Sequence, residues 1–102
     1  MKTKFINHCR KDMPEESCWE IGNGDIIITV GNIWNGGPTD QVKYLTIQVN
    51  SAEGPIVHTT EDTEGGKTIK IETPERIVVC TVIKVSYTDR NVLLLVTENQ
   101  KI

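Results

Sequence analysis

Residues that favour helix are nearly missing from this chain: Ala occurs once, at Ala52, and Leu four times in 102 residues. Ile, Val and Thr supply 35 of the positions, and such β-branched side chains are stiff in a helix but pack well on a pleated sheet. An all-β chain is the expectation. No apolar run approaches the roughly 20 residues of a membrane-spanning helix, and the first eight residues, Met1 to His8, lack the apolar stretch of a secretory signal. Three cysteines, Cys9, Cys18 and Cys80, cannot all pair within one chain and form no Cys-x-x-Cys clip, which points to free thiols in a reducing compartment. A soluble, cytoplasmic protein is therefore expected. There is no glycine-rich phosphate loop, no His-Glu-x-x-His and no supported Ser/His/Asp ordering, so neither an enzyme nor a cofactor is indicated. His8, Cys9, Cys18 and His58 match no zinc-finger or ribbon spacing, and no metal is expected.

What the chain does have is one pattern written twice. Ile26-Ile27-Ile28-Thr29-Val30-Gly31-Asn32-Ile33, a turn, and Thr39-Asp40-Gln41-Val42 are echoed by Val78 to Val85 followed by Thr88-Asp89-Arg90-Asn91-Val92. In each copy an apolar, β-branched run ends in a turn and is answered by a second run, as in an antiparallel hairpin. Around these units, Phe5 to Arg10 predicts a first strand closed by Asp12-Met13-Pro14, and Cys18 to Ile21 a second. Gly22-Asn23-Gly24-Asp25 predicts a tight turn. Leu45, Ile47 and Val49 alternate with Tyr44, Thr46 and Gln48, which predicts a half-buried strand. Ile56 to Thr59 offers another short strand, and Glu61 to Gly66 reads as an acidic, flexible connector. The expected architecture is a single all-β domain of about seven to eight antiparallel strands, a barrel or sandwich built from two related hairpin units. Residues 1–60 form a five-strand unit, 61–66 an acidic linker, and 67–102 additional strands that complete the core, because 36 residues are too few for a core of their own.

The formal net charge of −3 hides an uneven distribution. Residues 1–11 carry Lys2, Lys4, Arg10 and Lys11 without an acid, residues 12–64 hold ten acids against Lys43, and the remainder is mildly basic. Any nucleic-acid surface must therefore be a local patch drawn from the two ends. Cys9, flanked by His8 and Arg10, has basic neighbours that would lower a thiol pKa, but adjacent strand residues point to opposite faces. Asp25, Asp40 and Asp89 stand at turns, where carboxylates cap backbone donors. Trp34, beside Asn35-Gly36-Gly37, is the aromatic placed to make contacts.

The order of these segments resembles the carbon storage regulator family, small five-stranded RNA-binding translational repressors that act as interlocked homodimers. The resemblance runs through Phe5-Ile6-Asn7-His8-Cys9-Arg10-Lys11, Glu16 to Gly22, Asp25 to Val30, Asp40-Gln41-Val42, Ile47 to Ala52 and Ile56-Val57-His58. It covers about the first 60 residues, with an insertion between Ile33 and Asp40, and residues 67–99 look like a partial second repeat. The resemblance implies an RNA-binding edge formed by Lys4, Arg10, Lys11, His58 and Thr59 that reads a GGA-containing hairpin. Thr59 stands where the family has an arginine, which removes about 1–3 kcal/mol of recognition; the family's C-terminal helix is replaced by Thr60 to Gly66.

Two functions are thus expected from different classes. One is a divergent RNA-binding post-transcriptional regulator of bacterial or phage type, acting as a homodimer. The alternative is a non-enzymatic interaction module of viral or mobile-element type, engaging a host protein through an acidic surface with Trp34, Glu61, Asp62 and Glu64 as contact residues.

Overall fold

The computed structural model describes residues 2–102 as nine strands without a helix: β1 Thr3–Pro14, β2 Ser17–Ile21, β3 Ile26–Val30, β4 Ile33–Asn35, β5 Asp40–Val49, β6 Ile56–Glu64, β7 Thr68–Glu72, β8 Arg76–Ser86 and β9 Asn91–Lys101. All pairings are antiparallel, and they form two sheets. Sheet A has the order β1-β9-β8-β7. In sheet B, β2 pairs with β3, β3 and β4 lie end to end along one side of β5 in a single register, and β6 pairs with its other side. Sheet A thus has four strands and sheet B five, with β3 and β4 sharing one position, and the two stack as a sandwich.

The core is the apolar stripe that strand alternation predicts. Ile26, Ile28, Val30, Ile33, Val42, Leu45, Ile47 and Val49 point inward from sheet B. Met13, Ile69, Ile71, Val78, Cys80, Val82, Val85, Val92, Leu94 and Val96 meet them from sheet A. Each such aliphatic side chain contributes roughly 1.5–3 kcal/mol relative to an exposed one. Both predicted hairpins, β3/β4 with β5 and β8 with β9, sit at the centre of their sheets and share this one core. The all-β expectation holds, and residues on both sides of 61–66 contribute to one core.

Three details differ from the sequence reading. The run Ile26–Ile33 is broken after Val30, where Gly31 N–H donates to the Tyr44 carbonyl at 2.8 Å and Lys43 N–H to Asn32 O at 2.9 Å. A Cβ on Gly31 would lie 3.1 Å from that Tyr44 oxygen, so glycine lets the two strands cross closely without a neighbour having to shift, and the break raises the strand count to nine. Second, Glu61–Glu64 are not a connector but the second half of β6, with Gln41 opposite Glu64 and Tyr44 opposite Glu61. Buried Thr63, hydrogen-bonded to Thr60 at 2.8 Å, and the Lys43–Asp62 ion pair at 3.3 Å hold this polar stretch in the sheet. Only Gly65, Gly66 and Lys67 link β6 to β7. Third, β1 does not stay with the strands that follow it. It runs the full length of β9, from Thr3 opposite Lys101 to Pro14 opposite Asn91, and completes sheet A. Pro14 is tolerated because it ends an edge strand.

One polar cluster ties the sheets together at the end where β8 begins. The Arg76 guanidinium of sheet A bonds both carboxylate oxygens of Asp25, which precedes β3, and donates to Asn50 O at 2.8 Å after β5 and to Glu98 on β9. The Asp25 hydrogen bonds raise the already high guanidinium pKa, so this cation is permanent.

Candidate nucleic-acid interface on the basic sheet

The charge asymmetry of the sequence becomes an asymmetry between sheets. Residues 2–14 and 66–102, which hold every strand of sheet A, carry ten Lys and Arg against five Asp and Glu; residues 15–65, which hold sheet B, carry nine acids against Lys43. Local potential follows such segregation even when the whole molecule is acidic.

On sheet A the outward side chains are those that alternate with the core. Across β7, β8, β9 and β1 they form cross-strand rows: Glu72, Ile77, Asn99 and Phe5; then Lys70, Val79, Thr97 and His8; then Thr68, Thr81, Leu95 and Arg10; then Lys84, Leu93 and Asp12. Residues three apart on a regular strand point to opposite faces. Phe5 and His8 nevertheless share one face, because β1 carries a bulge at Ile6 that shifts its register against β9. Their ring centroids lie 5.8 Å apart with planes tilted by 46°. Phe5 is 56% exposed, which is unusual for the chain's only phenylalanine and leaves its ring free to stack. Arg10 follows on the same face, and Lys70 and Lys84 stand across the sheet beyond half-buried Val79, Leu95 and Leu93. From His8 to Lys70 the face is three inter-strand spacings wide, about 14 Å.

The residues named from the sequence divide over several places. Arg10 lies on this face. Lys4 and Lys11 project from the other side of β1, toward the inter-sheet side, and the Lys11 ammonium sits 5.9 Å from the centre of the Trp19 ring on β2. His58 and Thr59 are on β6, at the edge of sheet B away from β1, where Thr59 Oγ1 bonds Thr46 Oγ1 at 3.0 Å. The structure therefore does not gather Lys4, Arg10, Lys11, His58 and Thr59 into one surface. Trp34 is half-buried against Gly36, with Lys43 Nζ 4.7 Å from its ring centre, and its buried Nε1 has no hydrogen-bond partner among the described residues. It anchors its loop. Asp62 is engaged by Lys43, Glu64 accepts from Thr39 Oγ1 at 2.9 Å, and Glu61 remains exposed on β6.

Other chemistry finds little purchase. A groove of about 540 Å³ at the opposite end of the sandwich is lined by Thr39, Asp40, Glu64 and Lys84 among others, but Asp40 already accepts from the Tyr87 amide at 2.9 Å and Glu64 from Thr39. Among the described residues, no three of His, Cys, Asp and Glu gather closely enough to hold a metal ion, and no helix is long and apolar enough to cross a membrane. Burial pushes the Cys80 thiol up to about 12. Cys9 is also raised, by burial and then by the charge of Glu98, against the activation that its basic neighbours in sequence suggest. Cys18 is exposed on the outer face of sheet B.

Comparison of the chain with family models, with curated proteins and with solved structures gave no match. The functional reading therefore rests on the geometry above. Sequence reasoning named Arg10 but not Phe5, His8, Lys70 or Lys84, because only the bulge and the β7–β8–β9–β1 order bring them together. The one early signal was the pairing of Phe5 with basic residues inside a strand.

Proposed function

We propose that this chain binds single-stranded RNA on the outer face of sheet A and acts as a post-transcriptional regulator. The observation that carries the reading is the exposed Phe5–His8 pair, placed by a bulge on the same face as Arg10. Exposed aromatics on a four-stranded sheet give splayed bases a stacking surface, and stacking is worth about 1–3 kcal/mol per base. Arg10 and Lys84 are spaced to follow the phosphates, with exposed Lys70, paired only at 3.7 Å with Glu72, beside them, while Thr97 and Asn99 offer hydrogen bonds to base edges. The face is shallow and open, which suits unpaired bases rather than a duplex groove. A GGA-containing target follows from the resemblance to carbon storage regulators, with Arg10 as the residue for a guanine edge.

The test is fluorescence anisotropy with a short GGA-bearing RNA, single-stranded or in a hairpin loop, against its scrambled counterpart at several salt concentrations. Phe5→Ala should weaken binding about tenfold or more. Lys70→Ala and Lys84→Ala should each lower the salt slope by about 0.7. Binding that ignores Phe5→Ala, or no binding at low salt, would refute the reading.

A second reading has its own observation. The nine-to-one excess of acids over residues 15–65 gives sheet B a negative surface suited to a basic protein partner. Capture of a basic host protein that is lost on Glu20→Lys and Glu61→Lys would favour it.

A further inference from the structure

Both strands that flank one side of the sandwich have an unpaired edge, and they carry opposite charge. β1 ends sheet A and β2 ends sheet B; they follow each other in the chain, run antiparallel and stack, as Lys11 over Trp19 shows. From residue 2 to 14 the β1 segment carries Lys2, Lys4, Arg10 and Lys11 against Asp12, whereas residues 15–21 carry Glu15, Glu16 and Glu20 and no base. Arg10, Glu16 and Glu20 have no ion-pair partner among the described residues. Exposed edges invite strand addition unless they are paired or covered.

We infer that a second copy of this chain closes this side, through a twofold axis parallel to the strands. That operation exchanges the two sheets while keeping the strand ends level, so β1 of each copy lies beside β2 of the other, antiparallel, and two such seams form at once. If the level set by Lys11 over Trp19 is kept, Arg10 falls opposite Glu20 of the second copy on the outer face, and Cys9 falls opposite Ile21 on the inner one. The bulge at Ile6 lies outside the stretch that pairs. Each joined sheet then has nine strands in eight positions, and the core continues across the seam through half-buried Cys9, Trp19 and Ile21. The isologous contact is closed, so the assembly stops at two. Pairing β1 with β1 would instead set Arg10 and Lys11 near themselves. On the opposite side, Lys70 and Asp62 are already paired, with Glu72 and Lys43.

The proposal shares Arg10 with the RNA reading but rests on the two strand edges, and it is tested without nucleic acid. Sedimentation equilibrium of the full chain over a concentration series should give twice 11.4 kDa. Arg10→Glu and Glu20→Arg, each at an exposed site and checked for fold by circular dichroism, should each raise the dimer dissociation constant about tenfold or more, since like charges then face each other. An equimolar mixture of the two variants should form a heterodimer, because each β1 then meets a β2 of opposite sign. A monomeric wild type, a dimer indifferent to both changes, or a mixture that does not associate would each overturn the proposal.

Discussion

Replacing Arg76 by Met should cost this fold more than any other single surface-accessible change, because it removes one partner from the polar clamp between the sheets. The Arg76 side chain is only 12% exposed and Glu98 17%, whereas Asp25 is 43% exposed. Removing one member of a buried pair costs about 3–5 kcal/mol, mostly by stranding the other charge. Water can rehydrate Asp25 but much less readily Glu98, so about 2–3 kcal/mol is expected here. For a domain of this size that lowers the melting temperature by roughly 10–20 °C, which is a large share of a total stability of about 5–15 kcal/mol. The guanidinium pKa is raised in the fold, chiefly by the hydrogen bonds to Asp25; its contribution is fully present below the unfolded value and fades only as pH rises through the folded one. The deficit should therefore be the same from neutral to mildly alkaline pH. Urea melts of Arg76→Met, Glu98→Gln and the double variant decide the matter. The double variant should recover about 1 kcal/mol of the single Arg76 loss, because the poorly hydrated Glu98 carboxylate is no longer stranded and Asp25 is open to water. An Arg76→Met protein within about 0.5 kcal/mol of wild type, the range of an ordinary surface change, would show that the sheets are joined by apolar packing alone.

Two further outcomes follow from the placement of titratable groups. Cys80, buried and raised to about 12, should resist alkylation in the native protein and react only on unfolding, while exposed Cys18 reacts at once; mass spectrometry after timed iodoacetamide treatment checks the order. Glu75 is held below its ordinary 4.5, first by the Ala52 amide and then by Thr73. A lowered carboxylate contributes stability above the unfolded pKa that is lost as pH falls through the folded one. Glu75→Gln should therefore flatten the decline of stability below about pH 4.5, seen as a smaller difference between acid and neutral melting temperatures.

The sequence disclosed those parts of the fold that rest on local alternation. Leu45, Ile47 and Val49 and the two β-branched runs announce buried strands, and Gly22-Asn23-Gly24 announces a turn whose three residues all have positive φ, at 61°, 58° and 86°. It concealed what depends on distant partners. Glu61–Glu64 read as a linker because an edge strand facing water has no apolar stripe, and their pairing with β5 depends on Thr63, Thr60 and Lys43. Nothing local in Thr3–Pro14 tells that it belongs beside the last strand. The candidate site was half legible for the same reason: Arg10 stands out as a charge in a strand, but the bulge that aligns Phe5 with His8 is set by pairing with Glu98 and Asn99.

The union of the first strand with the last has a consequence for how this molecule is made. Sheet B can form as soon as residues 17–64 have left the ribosome, but sheet A cannot close until β9 arrives, and β1 must wait unpaired until then. Lys2 and Ile102 lie side by side, with the Ile102 amide donating to Lys2 O at 3.1 Å. A short peptide joining them, with the chain reopened between Gly65 and Gly66, would give the strand order β7-β8-β9-β1 followed by β2 to β6. Such a circular permutant would write each sheet without interruption, with β1 following its partner β9 directly instead of preceding it by seven strands.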